Sequence, residues 1–468
     1  MIFKKDEEEK TLDFSIRPTA PLERKAGLDS KRLGENVTVI DGDVLLTKAR
    51  EIVSSNPKII LNGTSKDESP TKMEIDDKFL STHLMILGGI GTGKSNTFYH
   101  MISQLRKKMT NDDVAIIFDT KGDFLKFKKE GDAVISNDVT EATGPSGKKD
   151  YWNIFNEVDP SSPEEHMREI ARSIFAEKIE KSSNPYFPTA ASDLFYAFMS
   201  IFYNNKDKTL TNNKSFISFL KTRETGELLD VLNKSPHLKY AANHISDPKS
   251  GQSQGVIAEL LTVADSLFVG NFAQDGTLSM RTLVEGKSAR AVFIEYDIKT
   301  GEVLTPIYSL LVDMAIKEAL SRKRSDGSVY IFVDEFKLLP NLSHIDDAVN
   351  FGRSLGIRMI IGLQSITQMY DNYGEFRAKS ILSGFLNSFF FRVNNYESRN
   401  FIKEYFGESI ERISYGSFAS GTGSGTNEIV LERNVVKDKD VARMKVGEAI
   451  IAIPNMEPFF FRFEEYKG

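Results

Sequence analysis

The run Gly88-Gly89-Ile90-Gly91-Thr92-Gly93-Lys94-Ser95 fits the phosphate-loop pattern G-x-x-x-x-G-K-[ST] in full. Each residue type in it suits a nucleoside triphosphate. Glycines at 88, 91 and 93 let backbone N–H groups close on phosphate oxygens, with Thr92 among them. Lys94 reaches the outer phosphates, and the Ser95 hydroxyl can sit on Mg2+. The flanks agree, because the apolar stretch 83–87 predicts a strand and 96–109 a helix. The pattern implies ATP or GTP, with Mg2+ as cofactor.

Two predicted strands further on end in acids. The first closes on Asp119-Thr120-Lys121-Gly122-Asp123, like the D-x-x-G switch of GTPases. A guanine reader of the N-K-x-D kind is missing, since Asn205-Lys206-Asp207-Lys208 has the wrong spacing, so ATP is the better nucleotide. The second strand, Tyr330-Ile331-Phe332-Val333, runs into Asp334-Glu335. Adjacent acids there suit hydrolysis: Asp334 holds Mg2+ through its water shell and Glu335 polarises the attacking water. A plain capping pair is the structural alternative.

Gln364, in Gly362-Leu363-Gln364-Ser365, ends the next strand, where an amide can contact the γ-phosphate or simply tie down a loop. Arg353, at a predicted helix end, is on this evidence either a surface charge or an arginine finger for a neighbouring subunit.

The elements that must position these residues alternate. Strands are predicted at 114–118, 291–294, 329–333, 359–363 and 389–393, with helices between. That is an α/β pattern implying a mostly parallel sheet covered by helices. Between 162 and 268 the periodicity is helical throughout, with helices at 187–202 and 254–268 and one opening at Pro163. The reading is a charged arm at 1–35, a small β-rich lead-in at 36–80, a nucleotide-binding domain at 81–160 and 270–468, and an all-α insertion at 161–269. The Gly- and Ser-rich stretch 414–426 is expected to be a loop.

Composition narrows the class. The 468 residues are 40% hydrophobic and 27% charged, with a net charge of −6, no cysteine and six histidines without ligand spacing. Disulfides, thiolate zinc sites and cysteine catalysis are excluded, and a uniformly basic nucleic-acid coat is not present. The longest apolar run, 194–203, falls short of the roughly 18 residues of a membrane span. Residues 1–10 lack the apolar core of a secretory signal. The expectation is a cytoplasmic protein, with any recruitment to the inner face of the membrane left to a partner.

Taken together, the segments from about 80 to 463 resemble the conjugative coupling ATPases of the VirD4/TraD type, within the FtsK/HerA group of DNA-pumping motors. The resemblance rests on the phosphate loop and on Asp119-Thr120-Lys121-Gly122-Asp123, where the family commonly has D-P-K-G-[DE]. It continues through the helical insertion, Val333-Asp334-Glu335, Gly352-Arg353, and Gln364-Ser365-Ile366-Thr367-Gln368 followed by Tyr373-Gly374. The closing segment from Val441-Ala442-Arg443-Met444 to Gly447-Glu448-Ala449 is similar too.

The resemblance implies a RecA-like fold, ATP and Mg2+ as cofactors, and a homo-hexameric ring around DNA. It implies phosphate contacts for Lys94, Mg2+ for Asp334, water activation for Glu335, γ-phosphate sensing for Gln364 and a trans-acting finger for Arg353. Relaxase or secretion-system partners come with it. The sequence departs from the family in lacking N-terminal membrane helices, and in placing Glu375-Phe376 before Arg377 where relatives can carry an earlier basic residue. Two rivals remain: a HerA-like ATPase paired with a nuclease or effector in repair or phage defence, and a nucleotide-gated recruitment platform that pumps nothing.

Overall fold

The computed structural model describes residues 37–38, 50–138, 141–287, 290–418 and 424–468; the charged arm at 1–35 lies outside them. A two-residue strand, β1 (Val37–Thr38), comes first, then β2 (Ile59–Thr64), β3 (Pro70–Ile75), β4 (Leu84–Leu87), β5 (Val114–Asp119) and β6 (Ala133–Ile135). After a long helical stretch come β7 (Ala291–Glu295), β8 (Val329–Val333), β9 (Ile357–Leu363) and β10 (Asn387–Phe391). The chain closes with β11 (Glu408–Phe418), β12 (Ser424–Asn434), β13 (Glu448–Ala452) and β14 (Phe459–Phe463).

One sheet of eleven strands has the order β3-β2-β14-β13-β10-β4-β9-β8-β5-β7-β6. From β10 to β6 every neighbouring pair is parallel. Strands buried on both faces read as near-continuous apolar runs, and β5, β8 and β9 are buried at every position. Arg358 in β9 is paired to Asp77, and Asp119 at the end of β5 is bonded by the loop after it. The remaining four strands extend the sheet by antiparallel pairing. The lead-in strands β2 and β3 are thus continuous with the main sheet through Arg462↔Thr64 and Phe463↔Gly63.

The helix Lys94–Lys108 follows β4 and buries Phe98, Met101, Ile102 and Leu105, an i, i+3, i+4, i+7 stripe against the sheet. Each such side chain contributes about 1.5–3 kcal/mol when fully buried. Arg106, Lys107 and Lys108 in its last turn complement the negative end of the helix dipole. Between β6 and β7 the chain is helical, with Pro163–Lys181, Tyr186–Tyr203, Asn213–Thr222, Thr225–Asn233 and Gly251–Leu267 as the main segments. Tyr186–Tyr203 is apolar nearly all round, as a helix central to a helical block must be.

The stretch 414–426, expected to be a loop, instead lies mostly in β11 and β12, paired antiparallel from Glu408↔Asn434 to Phe418↔Ser424. Serine and glycine mask the signal there. They alternate with Ile, Tyr and Phe, and the β-branched residues on both arms favour a ribbon over a loop. β1 pairs with β11, which gives this ribbon its third strand.

Candidate functional site

Strand order decides what can meet. β9 lies between β4, which leads into the phosphate loop, and β8, which ends at Asp334-Glu335. All three are parallel, so their C-terminal ends share one edge, the usual ligand-binding edge of such sheets. The loop is held there by its neighbours. Gly88 N–H donates to Leu363 O (2.9 Å) and Gly89 N–H to Arg392 O (2.8 Å), while the Thr92 hydroxyl donates to Gly89 O (2.8 Å).

Gly91 and Gly93 have φ of 70° and 112°, a region open to glycine. A Cβ at Gly93 would stand 3.1 Å from the backbone of Gly447, whose own N–H donates to Thr92 O at 2.9 Å. Gly93 caps the helix Lys94–Lys108 without a side-chain partner, so the first-turn N–H groups remain available to an anion.

The chemistry-bearing side chains converge on this edge. The buried Lys94 ammonium donates to Gly88 O and, at 3.1 Å, to Gly89 O. Ser95 Oγ donates to Asp334 Oδ2 at 3.3 Å. Gln364 Nε2 donates to Glu335 Oε2, while Glu335 Oε1 is buried without a hydrogen-bond partner. Burial dominates the titration of all three charged groups. It pulls the Lys94 ammonium down against the pull of Asp334 and Glu335. It pushes the Asp334 carboxyl up against Lys94, Lys121 and the Ser95 hydrogen bond. Glu335 is likewise pushed up by burial, against its hydrogen bond from Gln364.

Two desolvated carboxylates beside one desolvated ammonium, with an orphaned buried oxygen, fit a site built to receive further charges of both signs. The donor set suits Mg2+ and a triphosphate: a hydroxyl and a carboxylate oxygen in contact, beside a glycine loop with free N–H groups.

Gly362 shows how close the strands must come. A Cβ there would run into the carbonyl oxygen of Asp334. Gly362→Ala is expected to push β9 from β8, to cost about 1–3 kcal/mol by overpacking and to separate Gln364 from Glu335. Urea denaturation and ATP turnover check this; wild-type values in both would remove the account.

Asp119 is brought to the same edge but is occupied: its carboxylate accepts from the N–H groups of Lys121 (3.2 Å), Asp123 (3.2 Å) and Phe124 (2.7 Å). It shapes the loop after β5, whose exposed Lys121 adds positive charge near Asp334.

Arg353 is not brought to this edge. It is exposed near the end of the helix Ile345–Leu355, just before β9 begins. Its carbonyl accepts from Arg358 Nη1 (3.4 Å); burial, then the Arg358 charge and to a smaller extent that of Arg353, hold His83, just before β4, down at about 3. It therefore sits at the end of the sheet away from its own phosphate loop. Gly352 lets this helix lie on β9, since a Cβ would stand 2.9 Å from Ile357 Cβ. Arg377 is engaged within the chain, by Asp346 (2.9 Å) and the Leu342 carbonyl (2.9 Å).

Sequence reasoning missed Gly447 and the Arg392 carbonyl as supports of the loop. It also missed the grip of Asn96 on Glu464 O (2.8 Å) and Tyr466 N (2.7 Å). No local signal marks them, because each contact spans about 300 residues or more.

Fold and site define an α/β, RecA-like phosphate-loop NTPase with an inserted helical block. More narrowly, the family described as type IV secretion-system coupling protein DNA-binding domain matches residues 71–461, and the chain belongs to it. Among curated relatives, the coupling protein TraD of Escherichia coli K12 is 21% identical over 431 residues, 88% of this chain and 57% of TraD. The probable conjugal transfer protein TraG of Sinorhizobium fredii is 24% identical over 234 residues, 46% of this chain and 35% of TraG. The chain thus spans little more than half the length of TraD.

The solved conjugative coupling protein TrwBdeltaN70, unbound, is 18% identical with a TM-score of 0.68, covering 83% of this chain and 86% of that solved chain. TrwB with the GTP analogue GDPNP gives 17% and 0.68, covering 91% and 92%. These structures establish the fold. Among the described residues, no helix is long and apolar enough to cross a membrane.

Proposed function

We propose that this chain is a conjugative coupling ATPase: a ring-forming, ATP-driven DNA translocase that delivers DNA, with attached protein, to a type IV secretion machine. The observation that carries the reading is the division of the catalytic parts. Lys94, Ser95, Asp334, Glu335 and Gln364 meet at one edge of the sheet, while Arg353 is exposed at the other. Arg392 also follows a strand at the nucleotide edge, but its guanidinium is turned to the Met444 carbonyl (3.4 Å). With Arg353 as the finger, a neighbour completes the site, and a closed ring satisfies every copy at once.

ATP would lie on Gly88, Gly91, Thr92, Gly93, Lys94 and Ser95, with Ser95 and Asp334 holding Mg2+. When bound, Mg2+ neutralises charge on the β- and γ-phosphates. Lys94 adds a fixed cation, and its present hydrogen bonds to the loop's own carbonyls keep it in place for that role. Glu335 offers its unpartnered oxygen to the attacking water and holds the proton it gives up. Gln364 bonds the other oxygen and so reads that state into β9 and the helices after it. Similarity to TrwB, whose solved complexes hold ADP with Mg2+, an ATP analogue and a GTP analogue, supports a nucleotide with Mg2+; the choice of ATP rests on the missing guanine reader. The family's description supports DNA as the substrate.

The direct test measures ATP turnover with and without DNA, single- and double-stranded, while mass is determined in solution. The expected result is turnover stimulated by DNA, falling steeply with salt as phosphate contacts require, and a mass near six subunits. Turnover indifferent to DNA with a monomer at all concentrations would move the reading to a recruitment platform. A ring that requires a co-purified nuclease for activity would favour the repair or defence role.

A further inference from the structure

His344 sits at the N-terminal cap position of the helix Ile345–Leu355, roughly two and a half turns before Arg353. Its backbone N–H donates to Asp313 Oδ1 at 2.9 Å, and its Nδ1 meets Asp313 Oδ2 at 3.0 Å. Its Nε2 faces Glu169 Oε1 at 3.3 Å, and the other oxygen of Glu169 is bonded by Lys317. Three elements meet here: Glu169 belongs to the helix Pro163–Lys181 in the block between β6 and β7, and Asp313 and Lys317 to the helix Gly301–Ser321.

The composition resembles a divalent-cation site, but the charges argue otherwise. The Lys317 ammonium offsets one of the two carboxylates, and a proton on His344 would offset the other and make the cluster neutral without a metal. Asp313 is only 1% exposed, where an unbalanced charge is costly. Burial pulls the His344 imidazole down, but its hydrogen bond to Asp313 and the charges of Asp313 and Glu169 outweigh burial and Lys317, leaving it raised. His166, one turn before Glu169, is held down by burial and by Lys317. On His344's own helix, Asp346 is engaged by Arg377 and Asp347 is exposed.

We propose that His344 is a positioning residue, the joint through which the helical block holds the helix that carries Arg353. The inference rests on the reading of Arg353 as a finger. Movement of the block against the core would pass through Glu169 to His344 and along one rigid helix to Arg353.

The test compares kcat, KM for ATP and thermal melting for wild type, Arg353→Ala, His344→Gln and the swap Glu169→Lys/Lys317→Glu. The swap keeps an ion pair between the two helices but sets a cation against His344. The expected result is that Arg353→Ala, His344→Gln and the swap all lower kcat, the last two by about tenfold, as a small misplacement of a catalytic group does. KM stays near wild type, while melting falls in His344→Gln, which leaves the buried Asp313 carboxylate without its cation; the kcat-against-KM split and the pH profile therefore carry the decision. Wild-type kcat should fall as pH rises through the raised pKa of His344, because the imidazolium is present below it, and His344→Gln should lack that limb.

If Arg353→Ala slows turnover but His344→Gln does not, the joint is refuted and the finger stands. If the swap restores kcat, the cluster merely fastens two helices and the proposal falls. If Arg353→Ala leaves turnover unchanged, the finger reading fails and this inference with it. Should His344→Gln not fold, Glu169→Gln removes one arm of the joint alone and decides by the same criteria.

Discussion

Glu335→Gln is expected to lower ATP turnover by about 10²–10⁴-fold while leaving nucleotide affinity near wild type, the range for loss of a general base. The expectation follows from one carboxylate's two oxygens. Oε2 accepts from Gln364 Nε2, and Oε1 is buried with no hydrogen-bond partner. Glutamine can keep the first contact by presenting its carbonyl oxygen to Gln364. Its NH2 then occupies the free position, where it donates and cannot take a proton from water. Lys94, Ser95 and Asp334 keep their contacts with the loop and with one another, so binding is spared. Single-turnover hydrolysis and titration of a fluorescent ATP analogue separate the two effects. Turnover within a few-fold of wild type would mean that Glu335 is a capping acid and that another group prepares the water.

Much of this site was legible in the chain because its parts are local. The phosphate loop is contiguous, and Asp334-Glu335 and Gln364 each announce themselves as polar residues at the end of an apolar strand. Parallel strands with short polar tips bring such ends to one edge, whatever the length of chain between them. The sheet order that sets Gln364 beside Glu335 is not written in any one segment. Its residue-level trace is Gly362, whose lack of a side chain lets β9 approach the carbonyl of Asp334.

Contacts made by the end of the chain were illegible. Gly447 bonds Thr92, and Asn96 grips Glu464 and Tyr466, through backbone atoms that any residue could supply. The ribbon β11–β12 was misread because serine and glycine at alternate positions look like loop composition. Arg353 was visible as a residue type but not as a position, and its distance from its own loop emerges only when the helix Ile345–Leu355 is laid on β9.

That position leads to the second large effect. Arg353→Ala and Lys94→Ala are each expected to abolish turnover alone, an arginine finger being worth about 10³–10⁵ in rate. Mixed, they should recover activity. A phosphate loop from an Arg353→Ala subunit is intact, and a Lys94→Ala neighbour supplies the arginine it lacks. In a ring assembled at random from equal amounts, about a quarter of interfaces pair an intact loop with an intact finger, so about a quarter of wild-type turnover returns if sites fire independently. Recovery well below that fraction, but above zero, would show that neighbouring sites must fire in concert.

A finger acting within its own chain gives a different outcome, since every subunit then carries one defect and no ratio restores activity. The geometry opposes it: to reach its own Lys94, Arg353 would have to travel from the N-terminal end of β9 to the edge where Gln364 ends that strand. A rigid helix packed through Gly352 onto Ile357 cannot make that journey without leaving the sheet. On the proposed reading a fixed arginine of this kind serves only a second copy that comes to it, and assembly would then be a condition of hydrolysis rather than a consequence of it.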